Sequence, residues 1–369
     1  MDAARDTELM RSILERTATG PARSRDIARA EARAAMQLIL EGRVDAVQAG
    51  VFLIALRMKR ESDEELLGIL DALRDATATA RAEVEALVDI ADPYDGYARS
   101  LPIAAFLPPV LAACGIPAVA HGVESLAPKY GVTHRQVLRA AGVAVDRSPA
   151  EAAARLADGS VGWAYVDQSR YCPPLHALAR LRALIVKRPA LSTLETVIGP
   201  VRARGRTHLL TGYVHKTYPR IYALLARAAG FDSVLLVRGI EGGVIPSLRQ
   251  EGKAYRYPDG ESEQLLGFRA EDFGLSESPR PLAIGRREEE NEDGPAATFD
   301  AAAVAHSTVA AGVGALHGER GAARDHLLVA AALCLHHLGH YPSLPAAADA
   351  VGRVLESGSA WERFRAGAR

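Results

Sequence analysis

Cysteine is scarce in this chain, with three residues among 369 positions: Cys114, Cys172 and Cys334. Their number is odd, they lie far apart, and none forms a CxxC pair. This spacing indicates neither a disulfide framework nor a zinc ribbon. Three ordinary thiols are typical of a protein in a reducing compartment, so we expect a cytoplasmic location.

The chain also lacks an excess of charge of either sign. Its 44 basic and 45 acidic side chains leave a formal net charge of -1. No global field therefore attracts nucleic acid or an acidic membrane. The N-terminal segment MDAARDTELMRSILERT alternates charges and lacks the apolar core of a signal peptide.

Uncharged sequence is present, but it does not indicate a membrane span. Residues 101–120 carry no charge over a length that would cross a bilayer, and they contain prolines at positions 102, 108, 109 and 117. Prolines at this spacing break a helix unless neighbouring helices support it. We therefore expect a buried helix followed by a short strand, and no membrane partner.

Hydrophobic periodicity divides the chain into a helical part and an alternating part. Residues 1–75 have helical spacing, short β-branched runs alternate with helices from residue 84, and residues 302–369 are again helical. This rhythm predicts an α/β fold with a mostly parallel sheet flanked by helices. We expect a small helical domain over residues 1–80 and a larger α/β domain over residues 81–369.

Capping residues predict where two of the first helices begin. The segment SRDIARAEARAAMQLILEG has Ser24 and Asp26 at its start and Gly42 at its end. The segment SDEELLGILDALRDAT opens with Ser62, followed by acids in the first turn. Serine accepts hydrogen bonds from the first amides, and acids favour the positive end of the helix dipole.

Five short runs predict strands: VEALVDIA, IPAVAHG, GWAYVD, THLLTGYV and DSVLLVRG. Ligands in folds of this class collect beyond the carboxyl ends of the strands. Four of these ends carry polar residues or glycine, namely Asp95-Gly96, His121-Gly122, His215 and Arg238-Gly239. We expect the functional residues in these four loops.

Two further patterns have simpler interpretations. The run RREEENEDG at 286–294 is typical of a solvated loop, because like charges repel each other. His336 and His340 lie one helical turn apart, but no acid or cysteine has a matching spacing. The HExxH pattern of paired ligands and a base is absent, so we expect core or rim histidines and no metal site.

Three segments are recognisable: AGVFLIALRMKRESDEELLGILDAL near the start, and HGERGAARDHLLVAAALCLHHLG and VLESGSAWERF near the end. They resemble the anthranilate phosphoribosyltransferase family, which belongs to glycosyltransferase family 3 together with the pyrimidine nucleoside phosphorylases. The resemblance implies a helical domain before an α/β domain, with the active site between them. It also implies a crossover segment, 170–200, packed on the helical domain, and homodimerisation through that domain.

The first loop departs from the pattern of that family. VDIADPYDGYARS stands where relatives have VDIVGTGGDG, whose glycine amides hold a pyrophosphate. Asp95 and Gly96 are retained, but Pro93 offers no amide hydrogen and Tyr94 fills the space through which a phosphate approaches backbone. Arg99 is the candidate replacement, as a side-chain anion ligand.

The second loop is closer to the family pattern. HGVESLAPKYG preserves His121, Gly122, Lys129 and Gly131 at the family spacing. The resemblance implies that Lys129 holds a phosphate as a point charge and that His121 faces an aromatic acceptor. The family's asparagine is replaced by Val123, which alters the contacts to ribose and acceptor.

The third and fourth regions bear on the acceptor and the metal. Arg182 stands at the family's arginine for an acceptor carboxylate, and Arg188 aligns farther along the same crossover. In the fourth loop, RGIEGGVIPS, the family's two magnesium-binding acids are replaced by Val244 and Ile245. These side chains offer no oxygen to Mg²⁺, so we expect no metal cofactor, and ordinary anthranilate phosphoribosyltransferase activity is doubtful.

Three functions remain open from the sequence. The first is a divergent phosphoribosyl or glycosyl transferase with a metal-independent site for a phosphorylated small molecule, formed by Arg99, Lys129, Arg182, Arg188, His215 and Arg238. The second is a non-catalytic nucleic-acid-binding member, because residues 170–220 hold ten Lys and Arg against one acid, with Tyr171, Tyr213 and Tyr218 interleaved. The third is a regulatory relic without a ligand.

Overall fold

The computed structural model describes residues 2–20, 22–248, 251–258, 262–276, 282–284 and 300–369. The charged run at 286–294 lies outside the described residues, so its interpretation as a solvated loop stays a prediction. In the part of the chain that is described, no helix combines the length and apolar character needed to cross a bilayer.

The N-terminal part is a bundle of four helices: α1 (Asp2–Thr17), α2 (Arg29–Leu40), α3 (Ala46–Lys59) and α4 (Asp63–Asp75). Helix α4 begins as predicted, with the Ser62 hydroxyl accepting from the Glu65 amide. Helices α2 and α4 approach closely at Gly68, where an added Cβ would lie 2.2 Å from the Arg29 carbonyl oxygen. The bundle buries apolar side chains such as Met36, Phe52 and Ile69.

The predicted start of α2 at Ser24 and Asp26 is wrong, because the helix begins at Arg29. Ser24 instead donates a hydrogen bond to the Thr17 carbonyl at the end of α1, and Asp26 pairs with Lys59 of α3. The Glu31 carboxylate accepts from the Ala28 amide and caps the helix from within. Contacts with the other helices therefore override the local capping signal.

The α/β part contains a seven-stranded sheet in the order β4-β3-β2-β6-β7-β8-β9, and β1 pairs with β5 beside it. The first five strands of this order are parallel, and β8 and β9 extend one side of the sheet as antiparallel strands. The mostly parallel sheet is thus confirmed. The strands are β1 (Ala80–Ala82), β2 (Ala86–Ala91), β3 (Ala118–Gly122), β4 (Trp163–Asp167), β5 (Val201–Ala203), β6 (Arg206–Tyr213), β7 (Ser233–Arg238), β8 (Gly252–Tyr257) and β9 (Gln264–Phe268).

Helices cover both faces of this sheet, as predicted. They are α5 (Leu107–Ala113), α6 (His134–Ala140), α7 (Pro149–Ala157), α8 (Gln168–Tyr171), α9 (Pro173–Ala177), α10 (Ala179–Ile185), α11 (Leu191–Leu194), α12 (Tyr218–Ala228), α13 (Ala301–Leu316), α14 (Ala322–His337), α15 (Leu344–Glu356) and α16 (Ser359–Ala368). Helix α5 and strand β3 are the buried helix and short strand expected within and just after 101–120.

Two hydrophobic cores meet at the sheet. One packs α5 and α13–α16 against one face, and the other includes the bundle, α7 and α12 on the opposite face. The segment that contains α8–α11 shares the second core, where Leu175 and Leu191 belong to the same cluster as Phe52 of α3. The end of α3 in the bundle and the loops that follow β2 and β6 line one cleft, and this cleft is the candidate site.

Candidate functional site

A cleft of about 590 Å³ lies between the helical bundle and the carboxyl edge of the sheet. Its walls come from the end of α3, the first loop, the segment 188–196 and the loops after β6 and β7. Both signs of charge line it. The basic residues are Arg57, Arg60, Arg188 and His215, and the acidic residues are Glu61, Asp95, Glu195 and Glu241.

The first loop after β2 is held by a buried carboxylate, Asp92. The Tyr97 hydroxyl donates to it at 2.5 Å, the Val244 amide donates at 2.8 Å, and the His134 Nε2 lies 2.9 Å away. Burial raises the pKa of Asp92, but attraction by His134 and these hydrogen bonds outweigh burial and hold the pKa below its ordinary value. Asp92 therefore connects the first loop to the fourth loop as an ionised group.

A second buried chain of polar groups begins at Asp89 in β2. Asp89 accepts from the His121 Nε2–H at 2.7 Å, which leaves Nδ1 to accept from the Tyr94 hydroxyl. That hydroxyl lies 2.5 Å from the hydroxyl of Tyr171. Burial raises the pKa of both tyrosines well above the ordinary value, so they remain neutral. His121 is thus enclosed in the interior and does not face the cleft as the resemblance implied.

The retained Asp95 and Gly96 have roles within the chain. Gly96 has a φ of 75°, and an added Cβ would lie 2.5 Å from the carbonyl carbon of Gly131 in the second loop. The Asp95 carboxylate accepts from the Arg188 Nε at 2.8 Å and lies 3.8 Å from the Lys129 Nζ. The glycine is therefore needed where two loops pack backbone against backbone, and the acid neutralises two of the predicted phosphate ligands.

Arg182 is occupied by a carboxylate of the chain itself. Its guanidinium donates to both Glu195 oxygens, at 2.6 and 3.0 Å, and to the Ser192 hydroxyl at 3.1 Å. Each side chain of the ion pair is 1% exposed. The role implied by the resemblance, contact with an acceptor carboxylate, is therefore filled internally by Glu195.

Glu241 of the fourth loop lies among five hydrogen-bond donors. Its carboxylate accepts from three successive amides, those of Ala98, Arg99 and Ser100, at 2.9–3.0 Å. The Ser100 hydroxyl donates at 2.9 Å and the Lys129 Nζ at 3.3 Å. Burial raises the pKa of Glu241, but attraction by Lys129 and the amide and hydroxyl bonds outweigh it and lower the pKa. Glu241 is therefore ionised.

The residues of the fourth loop do not fit magnesium. Val244 and Ile245 are 0% and 4% exposed and carry no oxygen ligand. Glu241 directs its carboxylate to the amides and Lys129. Among the described residues, no group of three or more His, Cys, Asp or Glu side chains is arranged to hold a metal ion.

The cleft gathers some of the predicted residues and leaves others outside. Asp95, Arg188 and His215 line it, and Lys129 lies against Asp95. The exposed Arg99 and Arg238 and the buried Gly96, His121, Gly122 and Arg182 do not line it. Arg99 contributes its amide to Glu241, whereas a side-chain anion contact was predicted.

Sequence reasoning missed Arg57 and Arg60, although the run RMKR at the end of a predicted helix was visible. Both side chains are exposed and line the cleft. In the sequence Tyr94 is only an obstruction to a phosphate, whereas in the structure its hydroxyl bonds to His121. Nothing in the spacing of these two residues indicated that bond, because they lie on different strand ends.

The basic stripe proposed for nucleic acid is not continuous. Tyr171 and Tyr213 are 0% and 5% exposed, so their rings cannot stack on bases. Glu195, the one acid within the stripe, pairs with Arg182. Acids from elsewhere in the sequence pair with three more of the cations: Asp95 with Arg188, Glu83 and Glu85 with Arg204, and Asp63 with Arg220.

Comparison with known proteins agrees with this architecture. Residues 11–77 match the glycosyl transferase family, helical bundle domain, and residues 95–361 match the glycosyl transferase family, a/b domain. The anthranilate phosphoribosyltransferase of Acidithiobacillus ferrooxidans is 28% identical over 359 residues, which cover 97% of this chain and 97% of the relative.

Two solved structures share the fold. Anthranilate phosphoribosyltransferase from Thermus thermophilus has a TM-score of 0.72 at 19% identity and covers 98% of both chains. The same enzyme from Saccharomyces cerevisiae, in complex with PRPP and Mg, has a TM-score of 0.74 at 15% identity over 97% of this chain and 96% of that one. Because the two family matches span the bundle and most of the α/β domain, the chain belongs to the glycosyl transferase family, as an anthranilate phosphoribosyltransferase-like member.

Proposed function

We propose that this protein is a divergent phosphoribosyl or glycosyl transferase that binds a phosphorylated small molecule in the cleft without a metal ion. The observation that carries the proposal is that the guanidinium groups of Arg57 and Arg60 are available to a ligand. Both line the cleft, and within the described part of the chain no carboxylate pairs with either side chain. Guanidinium groups bind phosphate through two parallel hydrogen bonds, so these two suit a phosphoryl group.

The other groups of the cleft support a ligand of this class. His215 is exposed and lines the cleft, and Arg188 is 52% exposed while it pairs with Asp95. An acceptor carboxylate is not required, because Glu195 already occupies Arg182. The yeast relative is described in complex with PRPP, which makes a phosphoribosyl donor the first ligand to test.

The ligand class is tested with thermal-shift measurements in EDTA. We expect phosphoribosyl pyrophosphate or ribose 5-phosphate to stabilise the wild type, since a ligand that binds only the folded state raises the unfolding temperature. The double variant R57A/R60A should need at least about tenfold more ligand for the same shift, because each lost charged hydrogen bond costs roughly 1.5–3 kcal/mol. Anthranilate and a single-stranded oligonucleotide are tested in the same way.

The matched control is R353A, which removes an exposed arginine from the last turn of α15 as Arg57 is removed from the last turn of α3. It should bind like the wild type. The proposal is contradicted if R57A/R60A responds like R353A. It is also contradicted if only the oligonucleotide stabilises the protein, which would favour the nucleic-acid function.

We also propose homodimerisation through the bundle. A groove between α3 and α10 is lined by apolar side chains, of which Val47, Met58 and Leu184 are 72%, 69% and 71% exposed. Apolar side chains concentrated on one face of a soluble domain mark an interaction surface. A second copy of the chain is the partner that the resemblance implies.

Sedimentation velocity tests the dimer. We expect a dimer for the wild type and a monomer for L184E, because the new carboxylate would be buried without a partner at the interface. L265E places the same charge at an apolar position on β9 that is 59% exposed and should remain a dimer. A monomeric wild type, or dissociation by both variants alike, would refute this interface.

The thiols are consistent with our proposal of a reducing, cytoplasmic location. Cys114, Cys172 and Cys334 are all free. Burial raises the pKa of Cys172 and raises the pKa of Cys114 and Cys334 to about 12. They therefore remain protonated thiols with low reactivity.

A further inference from the structure

We propose that a second cavity, between α2, α4 and β5, binds a phosphate monoester through Arg74 and Arg202. The cavity has a volume of about 540 Å³ and shares no lining residue with the cleft. Its walls come from both matched domains, because α2 and α4 belong to the helical bundle and β5 belongs to the α/β domain. Small-molecule sites occur preferentially where domains meet.

This cavity carries an excess of positive charge, and we call it the arginine pocket. Four arginines and two aspartates line it, which leaves a formal net charge of +2. They are Arg29, Arg33, Arg74, Arg202, Asp71 and Asp75. Asp71 pairs with Arg29 and Asp75 pairs with Arg33, each at 2.7 Å, so both acids are already used. Among the residues that the structure describes, no carboxylate forms an ion pair with either of the other two arginines.

Arg202 is held at the wall of the arginine pocket by an aromatic ring, a carbonyl and a glycine. Its guanidinium carbon lies 3.9 Å from the centre of the Phe231 ring, and its Nη2 donates to the Ile198 carbonyl at 3.2 Å. Gly199 has a φ of 62°, and an added Cβ would lie 2.6 Å from the same Nη2. The missing side chain therefore makes room for the guanidinium. A cation that is already fixed in position loses little conformational freedom when a ligand binds.

Arg74 and Arg202 reach neighbouring carbonyls at the C-terminal end of α12. Arg74 donates to the Ala228 carbonyl at 2.9 Å, and Arg202 donates to those of Ala229 and Gly230 at 2.9 and 3.4 Å. The negative end of the helix dipole favours a cation at this place. Two adjacent cations also repel each other: burial lowers the pKa of Arg202 to about 10, and repulsion by Arg74 acts in the same direction. An anion that contacts both guanidinium groups would offset this repulsion.

The remaining donors and the charge of the arginine pocket favour a phosphate monoester. Three of the five N–H groups of Arg202 and one of the five of Arg74 donate to carbonyls of the described chain, and the others remain for a ligand. Guanidinium groups bind phosphate through two parallel hydrogen bonds. A phosphate monoester carries a charge of about −1.5 to −2 at neutral pH in one compact group, which matches the excess charge of the pocket. Thr79 is exposed at the wall and offers a hydroxyl group to the same ligand.

Thermal-shift titration of R57A/R60A tests the arginine pocket, because this variant lacks the two available cations of the cleft. We expect inorganic phosphate and glycerol 3-phosphate to raise its unfolding temperature more than chloride does at the same ionic strength. The further substitution R74A, at an exposed position, should raise the concentration needed for the same shift at least roughly tenfold, which is one decade in affinity. The matched control adds R353A, which removes an exposed arginine of α15 and should leave the response unchanged.

The substitution T79E, in the same R57A/R60A protein, tests the pocket by gain of stability. It places a carboxylate of the chain at the wall of the arginine pocket, close to the unpaired cations. We expect a higher unfolding temperature without phosphate and a loss of the phosphate response, because the new carboxylate takes the place of the ligand. S307E introduces the same charge at an exposed hydroxyl residue of α13 and should have neither effect.

The inference is overturned if phosphate stabilises R57A/R60A no more than matched chloride, or if R74A and T79E leave its response unchanged. A stronger response to succinate than to glycerol 3-phosphate would also overturn it, because the pocket would then select a dicarboxylate. These outcomes are separate from failure of the proposed function. An inert arginine pocket leaves the contrast between the wild type and R57A/R60A toward phosphoribosyl pyrophosphate intact, and loss of that contrast leaves the effect of R74A on phosphate binding intact.

Discussion

Replacement of Glu195 by alanine is expected to lower the free energy of unfolding by about 3–5 kcal/mol, the usual effect of removing one partner of a buried ion pair. Arg182 and Glu195 are each 1% exposed and share two hydrogen bonds. Without Glu195, the guanidinium retains only the bond to Ser192 and remains charged in the interior. Denaturation with urea measures the difference, provided that the slope of the transition is unchanged.

The double variant R182M/E195L distinguishes the destabilisation caused by an unpaired Arg182 from the net contribution of the ion pair to stability. It removes both charges and leaves apolar side chains, and such replacements are often neutral or stabilising. We therefore expect most of the lost stability to return. If E195A and the double variant are equally stable, Arg182 is not held by Glu195, and the site would again be open to an acceptor carboxylate.

Replacement of Gly212 by alanine is expected to lower the free energy of unfolding by about 1–3 kcal/mol, the range for overpacking. An added Cβ at the end of β6 would lie 2.1 Å from the Gly243 carbonyl oxygen and 2.3 Å from that of Gly242. The fourth loop must then move away from the sheet, and Glu241 moves with it. Hydrogen exchange at the amides of residues 98–100 should accelerate, because these amides lose their acceptor.

The control for this prediction is G159A, whose added Cβ would contact no atom within 4 Å. It should change stability by less than about 0.5 kcal/mol, as exposed substitutions usually do. Unchanged exchange at residues 98–100 in G212A would contradict the prediction, because it would show that the position of Glu241 does not depend on this packing.

The order of elements is predictable from the sequence because local patterns determine it. Strands β3, β4 and β7 are short apolar runs that end in a polar residue or glycine, and α4 is capped by Ser62 as its serine and acids indicate. The start of α2 is not predictable in this way. Ser24 finds its acceptor, the Thr17 carbonyl, in the preceding helix, and no local rule describes that bond.

The site is only partly predictable, because cations can be recognised along the chain but their partners cannot. Lys129 stands at the expected position, yet its carboxylate partner, Glu241, lies 112 positions away. The amides of Ala98, Arg99 and Ser100 lie 141–143 positions from the same carboxylate. Gly96 reads as the remnant of a phosphate loop, but the folded chain uses it for packing against Gly131. Such pairings follow from the topology of the sheet.

Calorimetric titration of the wild type and R57A/R60A with phosphoribosyl pyrophosphate in EDTA measures metal-independent binding at the two arginines without an assumed reaction. We expect the wild type to bind with the same affinity in EDTA and in Mg²⁺, and the variant to bind at least roughly tenfold more weakly. Binding that requires Mg²⁺, or equal affinity of the two proteins, would contradict it.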